Sequence, residues 1–177
     1  MRLNMRSQQG VALIVALVML VVIGFTSIAI MRGSLNSDMV ANNARVQNFA
    51  MQAAQLGLRY CESQIDLPEA DRDIVLHPAP ATSGADYLWE NFDNWFGANV
   101  KAVVVPEDVL KTTQSSITPN AKPQCLVEAT GIAGGQSYYV TARGFSPDFS
   151  ADSKGRTKTG SVVWLQSTVA LGSSSGS

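Results

Sequence analysis

Charge is what this sequence has least of. Only 15% of its 177 residues are Asp, Glu, Lys or Arg, against roughly a quarter in an ordinary soluble domain. The 13 basic and 14 acidic residues leave a net charge of −1, so no basic field invites nucleic acid. One histidine and two cysteines provide no ligand set for a zinc finger or a multi-histidine metal site. Disorder is excluded as well, because 46% of the residues are apolar and almost no net charge is present to keep the chain expanded. No phosphate-cradling glycine loop or nucleophile elbow occurs, so no catalytic residue, cofactor site or metal site is expected. The length suits one domain, or a domain with an appendage.

The charge is missing from one place. Before residue 32 the only charged side chains are Arg2 and Arg6, and residues 11–31 contain none. A helix over that run rises about 31 Å, matching the roughly 30 Å hydrocarbon core of a bilayer. Thr26 and Ser27 are tolerable there, since a helical hydroxyl bonds back to a carbonyl one turn earlier. A buried helix of a soluble core would alternate polar and apolar faces, which this run does not. A removable secretory signal would be shorter and would carry its small-residue cleavage site after the apolar stretch. Here that boundary comes before it. The two arginines favour a cytoplasmic amino terminus, with the bulk of the chain outside.

Ser7-Gln8-Gln9-Gly10 followed at once by Val11-Ala12-Leu13-Ile14-Val15 resembles the leader of a type IV pilin precursor. The resemblance implies cleavage by prepilin peptidase after Gly10 and methylation of the new amino terminus at Val11. Glycine suits such a site because it lets the backbone lie close to catalytic groups. Two departures from the major-pilin pattern are Val11, where Phe is usual, and Val15, where Glu is usual. That glutamate is thought to pair with a neighbour's amino terminus, because a lone charge in hydrocarbon is costly. Its absence at Val15 is typical of tip-associated minor pilins.

No proline occurs before Pro68, and Leu35, Met39, Val46, Phe49, Ala53, Leu56 and Tyr60 recur at helical spacing, which predicts an amphipathic continuation of the helix to residue 63. Gly24, Gly33 and Gly57 are weak points in it, serving either local bending or close packing on a neighbouring helix. Residues 66–97 show no clean period and read as an irregular connection with one short helix over 87–96. Its aromatics, Tyr87, Trp89, Phe92, Trp95 and Phe96, are either core under a loop or a partner surface. Strands are expected at 101–105, 124–130, 137–144 and 161–171, the second and third joined as a hairpin. Residues 146–160 read as a polar exposed loop.

Tyr138-Tyr139-Val140-Thr141-Ala142-Arg143-Gly144, followed after a loop by Val162-Val163-Trp164-Leu165-Gln166-Ser167-Thr168, is similar to the closing hairpin of PilX-type minor pilins. The expected fold is α+β: a long N-terminal helix, membrane-spanning in its first half, packed against a C-terminal antiparallel sheet. The expected parts are a leader (1–10), a transmembrane half (11–31), an amphipathic half (32–63), a periplasmic domain (64–171) and a tail (172–177). The implied role is assembly at a pilus tip, supporting motility, adhesion or DNA uptake. The implied partners are prepilin peptidase, other minor pilins, the major pilin, the inner-membrane assembly machinery and, before assembly, the lipid bilayer. The alternatives are a minor pseudopilin of a type II secretion system and a single-span anchored binding module.

In an exported domain Cys61 and Cys125 are best read as a disulfide, the alternative being two buried thiols. His77, alone beside Pro78, reads as a solvated loop histidine more readily than as a general base. Glu69, Asp71 and Asp73, or Asp148 with Asp152, follow no calcium-loop pattern and read as solvated loops.

Overall fold

The computed structural model describes residues 9–82, 84–110, 120–132 and 136–171, with the side chains of the long helix described at 11–27 and from residue 37 onward. The leader up to residue 8, the surroundings of Gly10 and Gly33, the side chain of Leu35, and the tail from residue 172 lie outside what is described. The chain divides into two compact units, Met1–Ala44 and Arg45–Ser177. Helix α1 (Gln9–Ile65) begins in the first and ends in the second.

In the first unit the large apolar side chains from Val11 to Phe25 are all exposed, by 49 to 71%. The Thr26 and Ser27 hydroxyls donate to the Ile23 carbonyl at 2.9 and 2.8 Å, so the helix satisfies them internally. Among the described residues no helix is long and apolar enough to cross a membrane. The described side chains of the uncharged run stop at residue 27, four short of its end.

The second unit is α+β. After α1 come a 3-10 turn at Glu69–Asp71, β1 (Leu76–His77), 3-10 turns at Leu88–Glu90 and Phe92–Asn94, β2 (Val103–Val104) and α2 (Glu107–Leu110). Then follow β3 (Gln124–Ala129), β4 (Gln136–Phe145), β5 (Ser150–Ala151), β6 (Thr157–Thr159) and β7 (Val162–Leu171). The main sheet runs β1-β3-β4-β7, with β2 also on β3. The pairings β3–β4 and β4–β7 are antiparallel, with Val127 opposite Val140 and Ala142 opposite Leu165.

The sheet is mixed, and this corrects the antiparallel expectation: β1 runs parallel to β3, Leu76 opposite Val127 and His77 opposite Glu128. A parallel neighbour requires a long crossover, and the stretch between the two strands is long enough to supply it. Two-residue strands β1 and β2 share the edge of β3 that β4 leaves open, one toward each end. They satisfy backbone groups there that burial would otherwise strand. His77 is therefore a half-buried strand residue and not a solvated loop histidine. Burial, followed by the nearby charge of Lys101, lowers its pKa.

Because side chains alternate along a strand, the sheet has two differently covered faces. On one, Cys125, Val127, Val140 and Ala142 pack with Tyr60, Cys61 and Ile65 of α1. On the other, Leu126 packs with Trp95 and Ala102, flanked by Leu88 and Trp89. The region 66–97 thus supplies the cover of the second face. It does so through two 3-10 turns rather than the expected single helix, the break falling at Asn91, whose side chain accepts the Asp93 N–H at 2.9 Å.

The stripe by which α1 meets the sheet is also displaced from the expected one. Met39 is 61% exposed, while Ala50, Ala54, Gly57, Cys61 and Ile65 are buried. Phe49, Ala53 and Leu56 flank that row half-buried, and Tyr60 is buried beside it. The cause lies at Gly144, where a Cβ atom would sit 2.0 Å from the Ala54 nitrogen and 2.4 Å from the Ala50 carbonyl oxygen. Strand and helix meet backbone to backbone, which only small residues permit. At the far end of α1, Arg72 donates to the carbonyls of Ile65 and Leu67 at 3.1 and 2.7 Å. It satisfies acceptors that a helix end leaves open, carrying the helix to residue 65.

Replacing Gly144 by Ala is expected to cost about 3 kcal/mol or more, the upper end of overpacking effects, since the obstructing atoms are main chain. Urea denaturation against the parent chain measures it.

Candidate functional site

The residues singled out in the sequence do not converge on one place. Val11 and Val15 lie on the exposed apolar part of α1, 66% and 52% exposed. Cys61 and Cys125 lie in the second unit and are joined as a disulfide across a sequence separation of 64, with Cα atoms 6.3 Å apart. The bond ties the last turns of α1 to β3 inside the apolar core. Beside it, Ser167 of β7 donates to the Glu62 carboxylate, so the helix is held at two strands of the sheet.

The acidic stretches do not gather into a site. Among the described residues no group of three or more His, Cys, Asp or Glu is placed to hold a metal ion. Asp152 instead organises its own loop, accepting the Lys154 and Arg156 N–H groups at 2.9 Å and pairing with the Arg156 side chain. Those hydrogen bonds lower its pKa, the Arg156 N–H foremost.

The polar chemistry that sequence reasoning missed lies on the second face of the sheet. Arg143 is only 5% exposed, and its guanidinium carbon lies 5.2 to 5.5 Å from the ring centres of Phe92, Trp95, Phe145 and Trp164. Nε donates to Gln124 Oε1 and Nη2 to the Trp95 carbonyl, both at 2.6 Å. Aromatic faces and neutral oxygens therefore solvate this cation. Burial lowers its pKa to about 10, leaving it charged at neutral pH. The arrangement also clamps the 3-10 turns onto the sheet, because Phe92 and Trp95 come from the turns while Phe145 and Trp164 come from the strands.

Glu128 does the same from β3. It is 1% exposed, and its carboxylate accepts the Leu88 N–H at 2.8 Å, at the start of the first turn. Burial raises its pKa, the Leu88 and Trp89 N–H groups oppose the rise, Glu90 adds to it and Lys101 opposes it. Tyr87 completes the attachment, donating from its hydroxyl to the Thr130 carbonyl at 2.9 Å and packing edge-on against Tyr139 at 5.3 Å.

Next to this cluster a cleft of about 330 Å³ opens, lined by Trp89, Glu90, Trp95, Thr141, Trp164 and Gln166 among others. Of the aromatics expected either in the core or on the surface, Trp95 is core at 1% exposure, while Phe92 and Phe96 are 38% and 37% exposed. The core reading holds for Trp95, and Phe92 and Phe96 are partly exposed. The sequence signal that could have found the cluster is period two: Leu126 and Glu128 on β3 share a face with Thr141 and Arg143 on β4. Two charges on one face of a hairpin whose other face is apolar require a polar cover.

The disulfide encloses a loop long enough to stabilise the fold by about 4 kcal/mol in the chain-entropy account. Cys61→Ala with Cys125→Ala is expected to lower the denaturation free energy by an amount of that order, and reductant should reproduce the effect in the parent and not in the variant. For Glu128 the folded-state pKa lies above the ordinary 4.5, so between the two values the folded chain holds more protons and stability falls as pH rises. Glu128→Gln keeps an acceptor for the Leu88 N–H. It is expected to flatten that decline, read from urea midpoints across a pH series starting below 4.5. Comparisons with protein-family models, with curated proteins and with solved structures find no match for this chain.

Proposed function

We propose that this chain is a minor pilin of a type IV pilus, of the PilX type. It is made as an inner-membrane precursor, processed after Gly10 and incorporated near the pilus tip. The observation that carries the reading is the first part of α1, where every large apolar side chain from Val11 to Phe25 is exposed. A continuous apolar surface of that extent marks a partner or a membrane. It begins at the residue after Gly10, and the sequence continues it without charge to residue 31. Lipid covers it before assembly and neighbouring pilin helices cover it afterwards.

Exchange of lipid for helix has little hydrophobic driving force, so packing supplies the specificity. Val15 offers no acid to pair with a neighbour's amino terminus, and such a subunit is suited to starting a filament. The disulfide between helix and sheet agrees with an oxidising compartment outside the cytoplasm. The head then accompanies the helix out of the membrane as one covalently fastened piece. No step of this role asks for a catalytic group.

Mass measurement of the protein isolated from cells that carry a pilin-processing peptidase tests the reading. A chain that begins at methylated Val11 is expected. A chain that retains Arg2 and Arg6 overturns the proposal and favours a single-span anchored binding module. Assembly separates the remaining rival: the processed chain is expected in purified pili, and its restriction to a secretion apparatus would instead identify a minor pseudopilin.

A further inference from the structure

The turn between β5 and β6 lies directly on the aromatic cluster around Arg143. A Cβ at Gly155, where φ is +77°, would sit 2.6 Å from the Phe96 ring and 2.8 Å from the Phe92 ring. Residues of that turn, Arg156 among them, line a cleft of about 200 Å³ together with Arg143, Phe149 and Val162. Two guanidinium groups line the cleft and no carboxylate does. Asp152 fixes the turn through the Lys154 and Arg156 N–H groups, so the cleft has an ordered wall.

Arg143 brings unused hydrogen-bonding capacity to this place. Its Nε and Nη2 donate to Gln124 Oε1 and to the Trp95 carbonyl, while Nη1 has no partner among the described residues. Yet Nη1 is not one of the enclosed side-chain atoms that lack a partner. It therefore keeps contact with solvent, although the residue as a whole is only 5% exposed. Of the described clefts, this one alone is lined by Arg143. Rings and neutral oxygens solvate the charge without cancelling it. Burial is the only influence on the lowered pKa of Arg143, so no acid of the chain stands near enough to act as its counter-ion. Buried charges are ordinarily paired.

These features select among ligand chemistries. A cation would meet two guanidinium groups, and a neutral ligand would leave the buried charge uncompensated. Phosphate, doubly charged and strongly hydrated, would exchange its water for walls that are mostly aromatic. A carboxylate on an apolar body supplies one negative charge for one buried cation and an apolar surface for the rest. We propose that this cleft binds a small monocarboxylate, which accepts from Arg143 Nη1 while its apolar body lies against Phe149 and Val162, two walls that the guanidinium does not engage. Arg156, whose Nε pairs with Asp152 at 2.9 Å, adds a weaker attraction. The site lies wholly in the second unit and does not depend on cleavage after Gly10.

The test uses the full chain in dodecyl maltoside micelles, which carry no charge. Benzoate is titrated by calorimetry, with benzamide and inorganic phosphate as controls, and Gly-Gly-Phe is compared with its C-terminal amide. Benzoate or the free peptide is expected to bind saturably at millimolar concentration, and the matching amide at least tenfold more weakly, since an ionised acceptor forms the stronger bond. Tighter binding of the peptide assigns the carboxylate to a chain terminus, and tighter binding of benzoate assigns it to a free acid. Arg143→Lys keeps the charge and loses the planar fork, and should weaken binding about tenfold. Arg156→Gln, at an exposed position, should weaken it about twofold. Photolabelling by 4-azidobenzoate locates the site in the parent chain, so the outcome does not rest on Arg143→Lys folding: label that benzoate suppresses is expected between residues 145 and 164. No saturable binding of either carboxylate overturns the proposal. So does equal binding of the amides or of phosphate, or benzoate-suppressed label confined to other parts of the chain.

Discussion

The second unit depends on one contact, the place where a strand backbone lies directly on a helix backbone. At Gly144 no side chain separates β4 from α1, and the helix answers with Ala50 and Ala54. A second close approach follows at Gly57, where an added Cβ would lie 3.3 Å from the Pro123 side chain and 3.6 Å from the Ala142 side chain. Interiors are packed at crystal-like density, so this spacing fixes the size of every neighbouring side chain. Large residues are pushed to the flanks of the contact, and the disulfide can form because helix and strand are already held so near. The contact sets the height of the first layer, and the rest of the head is arranged over it.

Much of this order was readable in the sequence. Strands β3, β4 and β7 fall within a residue or so of where alternation and the glycine-rich connection place them, because long strands with a buried face must alternate. The helix was readable from the absence of proline and the long apolar run. Its packing face was not. A search for apolar residues at helical spacing, anchored on the large ones, selects Phe49, Leu56 and Tyr60, whereas the buried row is one position on, at Ala50, Ala54, Gly57 and Cys61. Small residues carry little hydropathy, so a contact built from them is nearly silent in a pattern of large ones.

The second face was harder to read, for a different reason. Strands β1 and β2 are two residues each, too short to generate a period, and their pairing is decided by the open edge of β3. The turns at Leu88–Glu90 and Phe92–Asn94 take their positions from partners far away in sequence: Leu88 from Glu128, and Phe92 and Trp95 from Arg143. A local window sees only a polar, aromatic stretch without rhythm. Arg143 and Glu128 were visible as charges in apolar strands, and their meaning appears only once both are known to face the same way. The buried cation is held by rings and neutral oxygens, an arrangement with no sequence signature beyond the presence of aromatic residues somewhere in the chain.

The disulfide has a further consequence in the connectivity of the chain. Joining Cys61 to Cys125 closes a covalent ring through β1, the 3-10 turns, β2 and α2. Leu88, Trp89, Trp95 and Ala102, which cover the second face of the sheet around Leu126, all belong to that ring. A protease that cuts once anywhere within it produces a nicked molecule whose two pieces remain covalently attached, helix on one side of the cut and sheet on the other. Only a second cut within the ring, or reduction of the bond, releases anything. In the second unit the bond turns the least regular part of the sequence into the part whose first scission is tolerated.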